Sequence, residues 1–317
     1  MKKPAALTIA ALTLLSAIGS PALAQPAAPE TAPAKQTPAR TVEEAPKVKL
    51  LEPGAEPRKA LRYAPAVGDR HIFTITMSMD QKAEMGGNPV PIPQSPPMMM
   101  VFDLNITEVR ADGNVKYAML MTKVDVDTKE ETPQVQAMRE SLKGIVGMSG
   151  TAVVTNRGET IEAEFKLPPG ADPMMAAMMD SMKSSARQMS APLPEEAVGK
   201  GAKWEVAMKV KTGGMTLDQT ATMTLDEVAD DDFKLGMELV QKAGPQMVDG
   251  PMGKVEIVDI TSKGKGTLAG STRKIVPTKS EMMTNSVQEM KIGDQALKMD
   301  MKIGMKMASE PAKEEKK

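Results

Sequence analysis

The sequence predicts an α+β chain that is mainly antiparallel β. Its plan is a duplicated meander forming a strongly curved sheet or half-barrel, with two amphipathic helices on the concave face. Three observations predict it. Apolar and polar residues alternate through most of the chain, the period of half-buried strands. Acidic turns separate the alternating runs, and two stretches change to a helical period.

Taken in order, MKKPAALTIAALTLLSAIGSPALA (1–24) has two lysines, a short apolar run and the small-x-small pattern Ala22-Leu23-Ala24. It reads as a cleaved secretory signal peptide, so the expected location is periplasmic or secreted. Residues 25–60 are rich in Pro, Ala and charge, and read as a disordered tether. Residues 61–307 form the expected β domain, with halves at about 61–170 and 193–307, and 308–317 is a charged tail. No segment of the mature chain reads as a membrane span.

Within the domain, HIFTITMSM points His71, Phe73, Ile75, Met77 and Met79 one way, and MMMVFDLNI points Met98, Met100, Phe102, Leu104 and Ile106. VKYAMLM, KWEVAMKVK and FKLGMEL add Val115, Tyr117, Met119, Met121, Trp204, Val206, Met208, Val210, Phe233, Leu235, Met237 and Leu239. ALKMDMKIGMKMA closes the series with Leu297, Met299, Met301, Ile303, Met305 and Met307. A slip of one residue in any of these runs would bury Lys or Asp, so register is strongly specified.

The two halves echo each other. EVRADGNVKYAMLM (108–121) matches EVADDDFKLGMEL (227–239), and Val67-Gly68 matches Val198-Gly199. Their difference in length equals GGNPVPIPQSPP (86–97), read as a Pro-rich loop outside the sheet. Helices are expected at TPQVQAMRESLKGIVG, with Val135, Met138, Leu142 and Ile145 on one face, and at 172–190, where Asp172 is the N-cap and Pro173 opens the first turn.

The phrase LPEEAVGKGAKWEV (193–206) resembles a signature of uncharacterised secreted bacterial β-rich proteins, where it opens the second half of a duplicated fold. The overall plan is similar to the periplasmic lipoprotein-carrier half-barrels. That likeness covers 61–307 in outline and implies a hydrophobic cargo; the carriers' binding residues have no counterparts that can be placed on this chain.

Several chemistries find no support in the residues. There is no cysteine, which removes disulfides, thiolate catalysis, Cys-based zinc and an acylated-Cys anchor. The formal charge of −1 gives no field for nucleic acid. Phosphate-cradling glycine motifs are missing. His71 alone cannot make a hydrolase and reads as a core or rim residue. GKGAKW and SKGKGT read as solvated Gly-Lys turns, and VADDDF as a hairpin tip. The expectation is a non-enzyme without cofactor.

Methionine is the anomaly: 30 residues, against four Phe, two Tyr and one Trp. Thioethers pack adaptably, so they serve an ordinary core, a pocket for irregular apolar ligands, or a soft-metal site for Cu(I). The leading expectation is a lipid or other hydrophobic ligand held between the concave sheet and the helices. Its lining candidates are Met175, Met178, Met182, Trp204, Met299, Met301 and Met305. A structural or protein-interaction module of the cell envelope with a packed core, and Cu(I) binding, remain open beside it.

Overall fold

The computed structural model describes residues 45–166, 192–212, 214–250 and 253–312. In chain order its strands are β1 (Lys47–Glu52), β2 (Arg70–Met85), β3 (Asn88–Val90), β4 (Ser95–Val109), β5 (Val115–Val126), β6 (Ser149–Val154) and β7 (Thr160–Lys166). They continue as β8 (Lys203–Thr212), β9 (Met215–Ala229), β10 (Asp232–Ala243), β11 (Gln246–Gly250), β12 (Gly253–Ser271), β13 (Lys279–Ile292) and β14 (Gln295–Pro311). The helix α1 (Pro133–Lys143) lies between β5 and β6.

Among the described residues the strands form one sheet, ordered β1-β8-β9-β10-β12-β13-β14-β2-β4-β5-β6-β7, with β11 on β12 and β3 on β2. Every pairing is antiparallel, and the second half is joined to the first where β14 pairs with β2, from Leu297–Met85 to Pro311–His71. Edges β1 and β7 lie at opposite ends of the order. Even so, Phe165 of β7 and Trp204 of β8 share one apolar cluster, so the sheet curls without closing.

Alternation places the inward residues as expected. Phe73, Leu104, Ile106, Val115, Tyr117, Met121, Trp204, Val206, Phe233 and Leu235 are buried, and Phe73 stacks on Phe102 with ring centroids 4.9 Å apart. Helix α1 is capped by Thr132, whose hydroxyl accepts from Val135 N–H at 3.2 Å, and Pro133 opens its first turn. It turns Val135 and Leu142 into the same cluster as the inner face. The structure supports this one helix and not the expected pair, because 172–190 lies outside the described residues.

The two hairpins share a frame. Gly68 N–H donates to Ile106 O, and Ile106 N–H to Asp69 O; Gly201 N–H donates to Leu225 O, and Leu225 N–H to Ala202 O. One residue further on, Thr107 and Asp226 are each bulged out of the ladder. Gly68 is therefore matched by Gly201, not by Gly199, a shift of two residues from the sequence comparison.

Other expectations are corrected. Residues 47–64 are part of the fold: Val48 and Leu50 pack on the core from β1, which pairs with β8. The chain then crosses the sheet, with Tyr63 N–H on Asn156 O (2.7 Å) and Ala64 N–H on Thr272 O (2.7 Å). Gly54 and Gly199 permit the crossing, since a Cβ on Gly199 would sit 1.8 Å from Ala55 O. The Pro/Ala composition of 25–60 concealed a short apolar alternation, KVKLL. Likewise Asn88–Val90 pairs with β2 and Ser95 begins β4, so 86–97 lies partly inside the sheet. The sheet also runs to Pro311 instead of ending at 307, because Ser309 to Pro311 pair with Phe73 to His71.

Candidate functional site: a methionine row on the inner face

Cross-strand register decides which inward residues meet. Pairing Met98 with Met77, Met77 with Met305, and Met305 with Met282 sets four methionines from β4, β2, β14 and β13 side by side. The row continues through Gly266 of β12, Met237 of β10 and Met223 of β9 to Trp204 of β8. Neighbours in such a row have Cβ atoms about 5 Å apart, close enough for thioethers to touch.

The two ends of the row differ in exposure. Trp204 is 0 % exposed and donates its indole N–H to Pro192 O at 2.9 Å, and Met223 and Met237 are buried with it. Met98, Met282 and Met305 are half-buried. Met77 is 37 % exposed, although Phe73 and Ile75 before it on the same face are buried. Gly266 sits between the two ends. A Cβ there would lie 2.3 Å from Glu281 O and 3.1 Å from the Met282 sulfur, so the glycine admits the Met282 side chain. SKGKGT is thus the middle of β12, with Gly264 and Gly266 facing inward, and the solvated-turn reading is overturned.

One side of the row is closed. Ile75, Met307, Ser280, Leu268, Leu235 and Leu225 form the adjacent rank and are buried. On the other side Met79 and Ile303 are half-buried. Beyond them runs a polar rank: Gln81, Met301, Ser286, Ser262, Gln241 and Gln219 are paired in succession across six strands. Gln241 donates to Gln219 at 2.7 Å, and Ser262 to Ser286 at 2.9 Å. This rank lies between two apolar clusters, one holding Trp204 and Phe73, the other Ile257, Met290 and Met299.

The predicted lining residues are therefore dispersed. Trp204 and Met305 fall in one row, about 24 Å apart along it at the usual strand spacing. Met299 is buried in the second cluster, across the polar rank, and Met301 stands in that rank at the cluster's border. Met175, Met178 and Met182 lie outside the described residues. Met77 and Met98 were legible as inward-facing but not as members of one row with Met305 and Met282, because β2 and β14 are distant in sequence. The polar rank was missed because Gln81 follows the stretch where alternation is obvious.

The buried titratable groups His71 and Tyr117 stand off the row. His71 is buried three inward positions before Met77, and neither ring nitrogen has a hydrogen-bond partner. Burial holds its pKa below the ordinary histidine value, assisted by Lys274 and opposed by Asp69. Burial also pushes the Tyr117 hydroxyl up to about 12. A depression of about 650 Å³ lies on the opposite, outer face around Gly304, where Thr76, Ser78, Lys265, Glu281 and Lys306 share the lining with Met283 and with parts of Met282 and Met305. Its lining is more apolar than polar, and it differs from the pocket expected between sheet and helices in lying on the outer face.

Fold and site together define a large single-sheet antiparallel β protein whose inner face carries a half-open strip of thioethers. Residues 178–274, which take in β8 to β12, are similar to a family described as a family of unknown function (DUF6263). No curated protein matches the chain.

Proposed function

We propose that the protein is a non-catalytic binder or carrier of a lipid or similar hydrophobic molecule, acting in the periplasm or outside the cell. The observation that carries this reading is the position of Met77: inward-facing and apolar, yet 37 % exposed, with half-buried Met98, Met305 and Met282 beside it. A strip of flexible, polarizable thioethers without a charged side chain suits an irregular acyl chain. The open end also lies where β14 meets β2, the joint between the halves. The matching turns and bulges support duplication of one meander as the origin of those halves. The leader-like segment 1–24 supports the compartment.

The test is native mass spectrometry and lipid extraction of the purified protein, followed by titration with a fluorescent fatty acid. Co-purifying lipid, or binding lost in Met77→Asp, is the expected result; neither lipid nor probe binding removes the reading. A second reading, a structural or interaction module of the envelope, is favoured by the tight burial of Trp204, Met299 and Met301. It predicts a protein partner in crosslinking instead of lipid. Cu(I) binding comes third, since the Met282 sulfur leans toward Gly264 and Gly266, away from Met305.

A further inference from the structure

We propose that Met77 is an oxidation site and that its conversion to the sulfoxide switches hydrophobic ligand binding off. This rests on the ligand-binding reading above and adds its regulation.

The chain has no cysteine, so thioethers are its only sulfur groups. Oxidation of methionine by hydroperoxides follows access to the sulfur. The exposed methionines among the described residues are Met77, Met247 and Met283. Met247 and Met283 occupy outward strand positions, next to the inward Val248 and Met282 respectively. Met77 alone of the three faces the inner side, in the row with Met98 and Met305. By contrast Met121, Met290 and Met299 are at most 3 % exposed.

The chemistry is complete with a hydroperoxide as oxidant. A sulfur lone pair attacks the terminal peroxide oxygen, the S–O bond forms and the O–O bond breaks. The proton on the transferred oxygen passes to the departing one, directly or through water, which leaves the neutral sulfoxide and releases water or an alcohol. Sulfur loses two electrons and the peroxide gains them.

The consequence follows from the neighbours. Across the ladder Met77 meets Met98 and Met305, and along its own face Ile75 and Met79. None of these side chains donates a hydrogen bond, so the new sulfoxide oxygen must keep water. An acyl chain lying on the strip would have to strip that water away or leave the oxygen unsatisfied. Methionine sulfoxide reductases reverse the change, so the switch resets.

The experiment titrates the full-length protein with hydrogen peroxide and follows it by peptide mass mapping and fluorescent fatty acid binding. Met77, with Met247 and Met283, is expected to oxidise roughly tenfold faster than Met121 or Met299. Probe affinity falls about tenfold in step with Met77 and returns on reductase treatment. Measured against its own affinity before peroxide, Met77→Leu shows no further loss on peroxide treatment, whereas Met283→Leu stays peroxide-sensitive. Equal oxidation of Met77 and Met299 overturns the proposal, as does peroxide-induced loss of binding in Met77→Leu. Absence of probe binding before any peroxide instead sinks the ligand reading and the switch with it, while the oxidation map still reports separately on access to Met77.

Discussion

The two halves of the sheet fill one backbone frame in different ways. Trp204 and His71 each stand three residues after a turn glycine with positive φ, Gly201 and Gly68, and each pairs with the residue two before the matched Leu225 or Ile106. Trp204 fills its place completely and satisfies its one donor on Pro192 O. His71 is buried almost as deeply and satisfies neither nitrogen. The methionine row follows the same division: shut beside Trp204, open at the β2–β14 joint. One half is built around a large satisfied aromatic anchor, while the other has a smaller, under-satisfied one and leaves its neighbouring thioethers in reach of solvent.

The comparison breaks most visibly at the anchor. Trp204→Ala removes a fully buried side chain and should lower unfolding free energy by about 3–5 kcal/mol in urea denaturation. An effect under about 1 kcal/mol would deny Trp204 that role. Next comes the link between the two ends of the row. Gly266→Ala forces a Cβ against Glu281 O and should cost about 1–3 kcal/mol by the same measurement; the conservative-looking swap is expected to exceed any surface change.

His71 sharpens the contrast through pH. Its folded-state pKa lies below the unfolded value, so between the two the unfolded chain binds more protons. Stability is therefore complete above the unfolded value of about 6.5 and is lost as pH falls toward the folded value. Thermal melts from neutral to mildly acidic pH should show this loss, and His71→Leu should flatten that part of the profile. An identical slope in the variant would assign the loss to other groups. Smallest is Met77→Leu, expected to alter stability by no more than about 0.5 kcal/mol in the same denaturation assay. A large destabilisation would mean that Met77 is packed as tightly as Met223.

Much of the fold was legible because β2, β4, β5, β8, β10 and β14 carry unbroken alternation, and α1 carries both a helical stripe and a Thr-Pro start. What was not legible is spacing between elements far apart in the chain. The pairing of Met305 with Met77 depends on how β14 slides along β2, and neither segment encodes that alone. Gly264 and Gly266 were misread for a related reason: glycine beside lysine is common turn chemistry, whereas here the missing Cβ makes room for a methionine from the next strand. KVKLLE was overlooked because its flanks are rich in proline and alanine. Of the candidate site, Trp204 and Met305 were found, but the residue that opens the strip was seen only as one more inward position.

The β14–β2 pairing also bears on how the molecule is assembled. One flank of β2 is filled by β4, close to it in the chain, yet the other must wait for β14, the last described strand. Until then a long, unpaired hydrogen-bonding edge stays available to any passing strand. Sheets completed by such distant partners form slowly, so this chain should depend on being held unfolded, or on a chaperone, until its C-terminal strand is made.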